Sequence, residues 1–150
     1  MLVNAKDLLE VAKREGYAIG AFNTVNLETT QAIIEAAHEL SSPVIVQMTE
    51  KTFEYAGGRA IFQLTKNIAE LYHPEVPVAI HLDHGKNFDI VDRAMQIGFG
   101  SVMYDGSRKD YADNLKLTKK IVALAHEKGI SVQAELGNVP YIGEMQMEIV

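Results

Sequence analysis

Short apolar runs punctuate the chain at residues 17–22, 43–48, 77–82, 100–104 and 130–136. Each is rich in Val, Ile or aromatic residues and is introduced by a Gly or Pro, the signature of a buried strand bounded by a breaker. Between the runs, apolar positions recur at the spacing of a helix with one buried face. A leading helix is predicted over 4–15. Another starts at the N-cap Asn26 and buries Ile33, Ile34, Ala37 and Leu40. A helix is predicted over 60–71, and another over 87–98 with Val91, Ala94 and Met95 on one face. The last begins near Asp110 and runs through Leu117, Ile121, Leu124 and Ala125 to a stop at Gly129.

Strands alternating with helices imply parallel pairing through right-handed crossovers, which leaves a doubly wound sheet or a (β/α) barrel. The strand ends favour the barrel. Every run ends in a polar residue: Asn23, Thr49, Asp83 with His84, Asp105, and Glu135. An open sheet gathers ligands at one switch point, whereas all barrel strands end at a common mouth. Parity agrees. Val44, Val46, Met48, Ile80, Leu82, Val102, Tyr104, Val132, Ala134 and Leu136 form an apolar face that should pack on helices. The opposite face carries Gln47, His81 and Gln133, expected to line the interior as a polar layer supporting the mouth or to hydrogen-bond one another in the core. A closed (β/α)8 barrel needs more strands than these. The reading is therefore an α/β, TIM (β/α)8-type barrel of which residues 1–150 supply about the first five β/α units, as the N-terminal portion of a single domain. A native half-barrel acting as a scaffold or assembly module is the alternative of a different class.

Composition narrows the function without naming it. The chain is 47% hydrophobic and 23% charged, with formal charge −6 and its basic residues dispersed, which argues against nucleic-acid binding. No stretch reaches the length of a membrane span, and the N-terminal residues lack signal-peptide blocks, so a cytoplasmic location is expected. There is no cysteine, so a metal would need imidazole, carboxylate or carbonyl ligands.

The segment His81-Leu82-Asp83-His84-Gly85 follows an apolar run and sits at a strand's C-terminal end. Imidazole ligates zinc and similar cations, and a neighbouring carboxylate can orient a ligand or carry a proton. Asp105 and Glu135 are expected at the same mouth. Parity puts His81 and Asp83 on the interior face, so His84 reaches the mouth only if the strand bends, which Gly85 is expected to permit. His38, His73 and His126 are read as surface or helix-end residues.

Three stretches resemble the class II, metal-dependent fructose-bisphosphate aldolase family: Val78-Ala-Ile-His-Leu-Asp-His-Gly85, Gly98-Phe-Gly-Ser-Val-Met-Tyr-Asp-Gly-Ser107 and Ser131-Val-Gln-Ala-Glu-Leu-Gly137. Gly16-Tyr-Ala-Ile-Gly-Ala-Phe-Asn23 and Ser42-Pro-Val-Ile-Val-Gln47 match as well, so the resemblance spans the chain in order. It implies a lyase of carbohydrate metabolism and glycolysis that interconverts a ketose 1,6-bisphosphate with dihydroxyacetone phosphate and glyceraldehyde 3-phosphate. It further implies His84 as a zinc ligand, with Asp105 and Glu135 lining the metal site, and Asp83 as the proton carrier. Asn23 and Thr49 would contact substrate. Cobalt or manganese could replace zinc at such a site. A homo-oligomer, dimer or tetramer, is implied for the full-length protein.

The chain departs from the family in its last residues. Asn138-Val-Pro-Tyr-Ile-Gly-Glu144 stands where paired glycines and acids are usual, leaving Glu144 as the candidate loop acid, and Gln133 replaces an acid. The family's other zinc histidines and its phosphate loops would lie on later strands, so residues 1–150 alone are expected to be inactive. Tagatose-bisphosphate aldolase shares the motifs, and Thr52-Phe53, Ala56-Gly57 and Tyr72-His73 lean toward it. The rival Schiff-base chemistry needs an interior lysine, and none of the strand runs contains one.

Overall fold

A strand overlaps each apolar run: β1 (Gly20–Asn23), β2 (Val44–Thr49), β3 (Val78–Gly85), β4 (Ser101–Tyr104) and β5 (Ser131–Ala134). The computed structural model describes residues 1–137. All pairings are parallel and the spatial order is β1-β2-β3-β4-β5. A doubly wound sheet reverses its strand order at a switch point. This one never reverses, so each crossover advances in the same sense, as successive β/α units of a (β/α)8-type barrel do.

Local sequence explains the helices. In α1 (Ala5–Glu15), the Asn4 side chain accepts from the Lys6 amide, and left-handed Gly16 ends the helix. In α2 (Leu27–Glu39), Asn26 and Thr29 form a reciprocal capping box. Helix α5 (Phe88–Ile97) runs between the cap Asn87 and left-handed Gly98, and α6 (Tyr111–His126) follows Asp110. None of the described helices is long and apolar enough to cross a membrane.

The region between β2 and β3 differs from the predicted single helix over 60–71. It holds α3 (Glu50–Ala56) and α4 (Gly58–Asn67), and α4 runs into a π-helical turn, Ile68–Tyr72. Thr49 is both the last residue of β2 and the N-cap of α3, its Oγ1 accepting from the Thr52 amide, so strand passes into helix with no loop to mark the change. Gly57, at φ 80°, separates the two helices. Gly58 then lies flat against Phe53, where a Cβ would meet the ring at 2.2 Å.

The apolar strand face packs on the helices as parity requires. Met48, Ile80, Leu82, Val102 and Tyr104 join Phe53, Phe62, Ile90, Val91 and Ile121 in the main core. Val44, Val46 and Val78 pack with Ile34 and Ala37 of α2. Helix α1 lies on the opposite, inner face, where Ala5 and Leu8 cover Ile45 and Ala79. Asn4 Nδ2 donates to the Gly129 carbonyl at 2.6 Å, linking the start of α1 to the loop before β5.

Three expected core residues are exposed, among them Ala134 at the end of the flanking strand β5. Leu40 follows the last turn of α2, where the chain swings through Ser41 at φ 49°, and so leaves the buried stripe. Leu136 lies beyond the end of β5 and is likewise exposed. Strands β1 and β5 flank the sheet and are far more exposed than the central three.

Candidate active site

The end of β3 bends, and the bend builds the site. Leu82 pairs with Val102 and Gly85 with Tyr104, so β3 carries one residue more than β4 over this interval, a β-bulge. His84 absorbs it with φ 52°. A left-handed conformation costs a non-glycine residue roughly 1–2 kcal/mol. Gly85 has a different role from the one expected: it is not the left-handed residue. A Cβ there would lie 2.8 Å from Val91 Cγ2 and 2.9 Å from the Met103 carbonyl. Its bare Cα lets β3 close against β4 again, and the Asp105 amide donates to the Gly85 carbonyl at 2.9 Å.

The bulge breaks strand parity and directs the His84 imidazole among three carboxylates. Nδ1 lies 3.0 Å from Asp105 Oδ2 and 3.6 Å from Glu135 Oε2, and Nε2 lies 3.8 Å from Asp83 Oδ1. Asn23 Nδ2, at the end of β1, donates to Asp83 Oδ2 at 3.3 Å. Four strand ends thus meet. His84, Asp105 and Glu135 each offer a donor atom, all within 4.8 Å of one another. One imidazole nitrogen and two carboxylate oxygens are a donor set that suits zinc and comparable divalent ions. Acids packed this closely need protons or cations among them, which is the physical reason that the set fits a metal.

The flanking residues hold these acids in place. Ser107 gives Asp105 Oδ1 both its amide, at 3.1 Å, and its hydroxyl, at 2.6 Å. Burial alone would raise the Asp105 carboxyl, but these bonds and His84 outweigh it and hold the group below its ordinary range. Glu135 is anchored by its backbone: Asn114 Nδ2 donates to its carbonyl at 2.9 Å, while Asn114 Oδ1 accepts from Thr118 Oγ1 at 3.0 Å. Behind the turn, the Lys86 amide donates to Glu50 Oε2 at 2.9 Å.

Beneath the mouth, His81 is 5% exposed and its Nδ1 lies 2.8 Å from Ser101 Oγ. Burial pushes its pKa down to about 4, against a smaller opposing pull from Asp83. Gln47 is the register neighbour of His81 and Gln133 that of Met103, and all three polar residues line one concavity of about 840 Å³ on the inner face. Ser101, rather than either glutamine, is the hydrogen-bond partner of His81. Thr49 is the register neighbour of Asp83, and its oxygen is engaged as the α3 cap. Glu144 lies outside the described residues.

Sequence reasoning missed Ser107, Asn114, Ser101 and Glu50. Only Ser107 had a local signal, since an Asp commonly accepts the amide two residues on. Of the residues that lean toward the tagatose enzyme, Thr52 bonds Thr49 at the mouth, whereas Phe53 is in the core, and Tyr72 and His73 follow α4 at the far end of β3.

A profile of the family described as fructose-bisphosphate aldolase class-II matches residues 3–148. The chain belongs to this family. It is 46% identical over 144 residues to fructose-bisphosphate aldolase of Thermus caldophilus, covering 96% of this chain and 46% of that protein. It is 45% identical over 139 residues to the Helicobacter pylori (strain ATCC 700392 / 26695) enzyme, covering 93% and 45%. Among solved structures, the YdjI aldolase of Escherichia coli K12 superposes with TM-score 0.84 at 34% identity, covering 93% of this chain and 54% of that one. Fructose-bisphosphate aldolase of Campylobacter jejuni superposes with TM-score 0.78 at 25% identity, covering 93% and 48%. The chain spans about half the length of the curated relatives it matches. Its parallel sheet corresponds to the first five β/α units of the aldolase barrel.

Proposed function

We propose that residues 1–150 form the N-terminal portion of a single barrel domain that cleaves and forms a carbon–carbon bond in a ketose 1,6-bisphosphate, with dihydroxyacetone phosphate and glyceraldehyde 3-phosphate as the triose products. The observation that carries this reading is the bulge at His84, which brings Asp83, Asp105 and Glu135 around one imidazole. His84, Asp105 and Glu135 would hold a divalent cation, zinc in the first instance. When bound, that cation supplies a Lewis acid beside the substrate carbonyl.

The chain's own groups do the rest. Asp83 takes the proton from the hydroxyl on the carbon that becomes the aldehyde, and returns it in the condensation direction. Asn23, bonded to Asp83, fixes the carboxylate and offers its remaining amide capacity to substrate. Thr49 sits beside Asp83, its hydroxyl held by the Thr52 amide and by Thr52 Oγ1 at 3.3 Å, and turns to substrate by exchanging the Thr52 hydroxyl for it. His81, Gln47 and Gln133 support the mouth from below. The full-length protein is read as a cytoplasmic homo-oligomer.

The test uses the full-length protein. Asp83→Asn should lower kcat for fructose 1,6-bisphosphate cleavage by at least about a hundredfold, in line with general acid–base contributions, with bound zinc retained. His84→Ala should lose the metal held with Asp105 and Glu135 and the activity together. Full activity in either variant would overturn the assignment. Parallel rates with the tagatose epimer decide between the two substrates.

A further inference from the structure

We propose that His38, His73 and Glu75 form a second divalent-metal site, at the opposite end of β3 from His84, that binds zinc-class transition ions. His38 lies in the last turn of α2, His73 directly follows the π-helical turn, and Glu75 lies in the loop leading to β3. The two sites are separated along β3 by on the order of 20 Å, so they share no ligand.

The geometry converges on one oxygen. Glu75 Oε1 lies 2.6 Å from His38 Nδ1 and 3.8 Å from His73 Nδ1. The imidazole rings face each other with centroids 4.5 Å apart and planes tilted by 37°. Each of the three residues offers one donor atom within 4.8 Å of the others. The decisive feature is His73 Nδ1, which is shut off from solvent and makes no hydrogen bond. A buried ring nitrogen without a partner is destabilising, and an ion between it and the carboxylate removes that cost. Glu75 is ready as an anion: its own backbone hydrogen bond, with further help from His38, holds its carboxyl below the ordinary range.

Two imidazoles and one carboxylate suit Zn²⁺, Co²⁺ and Ni²⁺ better than the oxygen-seeking Mg²⁺ or Ca²⁺. Such an ion ties the end of α2 to the start of β3. Its role is that of a structural clip on the outside of the barrel. The proposal does not depend on the chemistry assigned to His84.

The test is a zinc titration of the tag-free chain, followed through its histidine ring ¹⁵N–¹H NMR signals. His38 and His73 should move together on binding while His126 stays fixed. His38→Gln and Glu75→Gln, both at half-exposed positions, should each weaken that binding at least tenfold, with the fold unchanged by circular dichroism. In a His84→Ala background about one equivalent of zinc should remain bound per chain. Ring signals of His38 and His73 that stay fixed at millimolar zinc, or unchanged affinity in both single variants, would overturn the proposal.

Discussion

His81 carries a pH dependence whose sign follows from its burial. Its folded pKa of about 4 lies below the ordinary 6.5, so the unfolded chain binds a proton that the folded chain refuses between those values. The stabilisation is complete above pH 6.5 and is lost as pH falls toward 4. A shift of this size corresponds to about 3 kcal/mol. The urea midpoint should therefore drop across that window, and His81→Gln, which can still bond Ser101, should flatten the drop. Parallel curves for the two proteins would refute the assignment. Gly85 is constrained by the close approach of β4. An added methyl would press on the Met103 carbonyl, a backbone atom that cannot rotate away. Gly85→Ala should cost about 1–3 kcal/mol in urea unfolding. It should also weaken zinc binding, because the bulge that aims His84 would have to shift. A variant as stable as the parent would show that the close approach is dispensable.

Between elements, the consequential contact is Asn114, which joins α6 to the end of β5. It is buried, donates to the Glu135 carbonyl and lies so close to Gly106 that a Cβ there would come within 2.2 Å of its Oδ1. Asn114→Ala should leave that carbonyl unpaired at about 1–3 kcal/mol. It should also weaken metal binding at the Glu135 site about 10–100-fold, as loss of a residue orienting a ligand does. Zinc titration alongside urea unfolding separates the two effects. An unchanged affinity would mean that Asn114 braces the fold only. The elements differ in how far local sequence encodes them. All five strands, the capped helices α1, α2 and α5, and α6 were legible because periodicity, Asn caps and Gly stops are local signals. Helix α3 was not, since Thr49 ends β2 and caps α3 in one residue. His84, Asp105 and Glu135 could be placed at one mouth because each follows a strand. The bulge that brings His84 to them depends on the pairing of β3 with β4, which no local pattern encodes. His38, His73 and Glu75 meet only because α2 and the turn before β3 pack side by side.

For the whole molecule, the arrangement of exposure sets the expected behaviour of the isolated chain. Among the described residues, strands β1 and β5 each leave one parallel edge unpaired, and unpaired edges invite association. Beside β1, Tyr17, Phe22, Ile33 and Leu40 line an apolar groove of about 500 Å³. On the inner face, Gln47, His81 and Gln133 border an open concavity instead of a filled barrel interior. Removing apolar surface from water favours closure by roughly 25 cal/mol per Å². Residues 1–150 alone should therefore self-associate, which light scattering across a dilution series would detect. They should also fail to cleave a ketose bisphosphate with zinc present, since the candidate site offers three metal donors among the described residues and the relatives extend to about twice this length. Supplying the remaining barrel strands of the full-length protein as a separate polypeptide should suppress the self-association and restore zinc-dependent cleavage that a chelator abolishes. A monodisperse, closed oligomer of 1–150 that stays inactive when those strands are added would instead favour an assembly module. Cleavage by 1–150 alone would show that the convergence of His84, Asp83, Asp105 and Glu135 suffices for the chemistry.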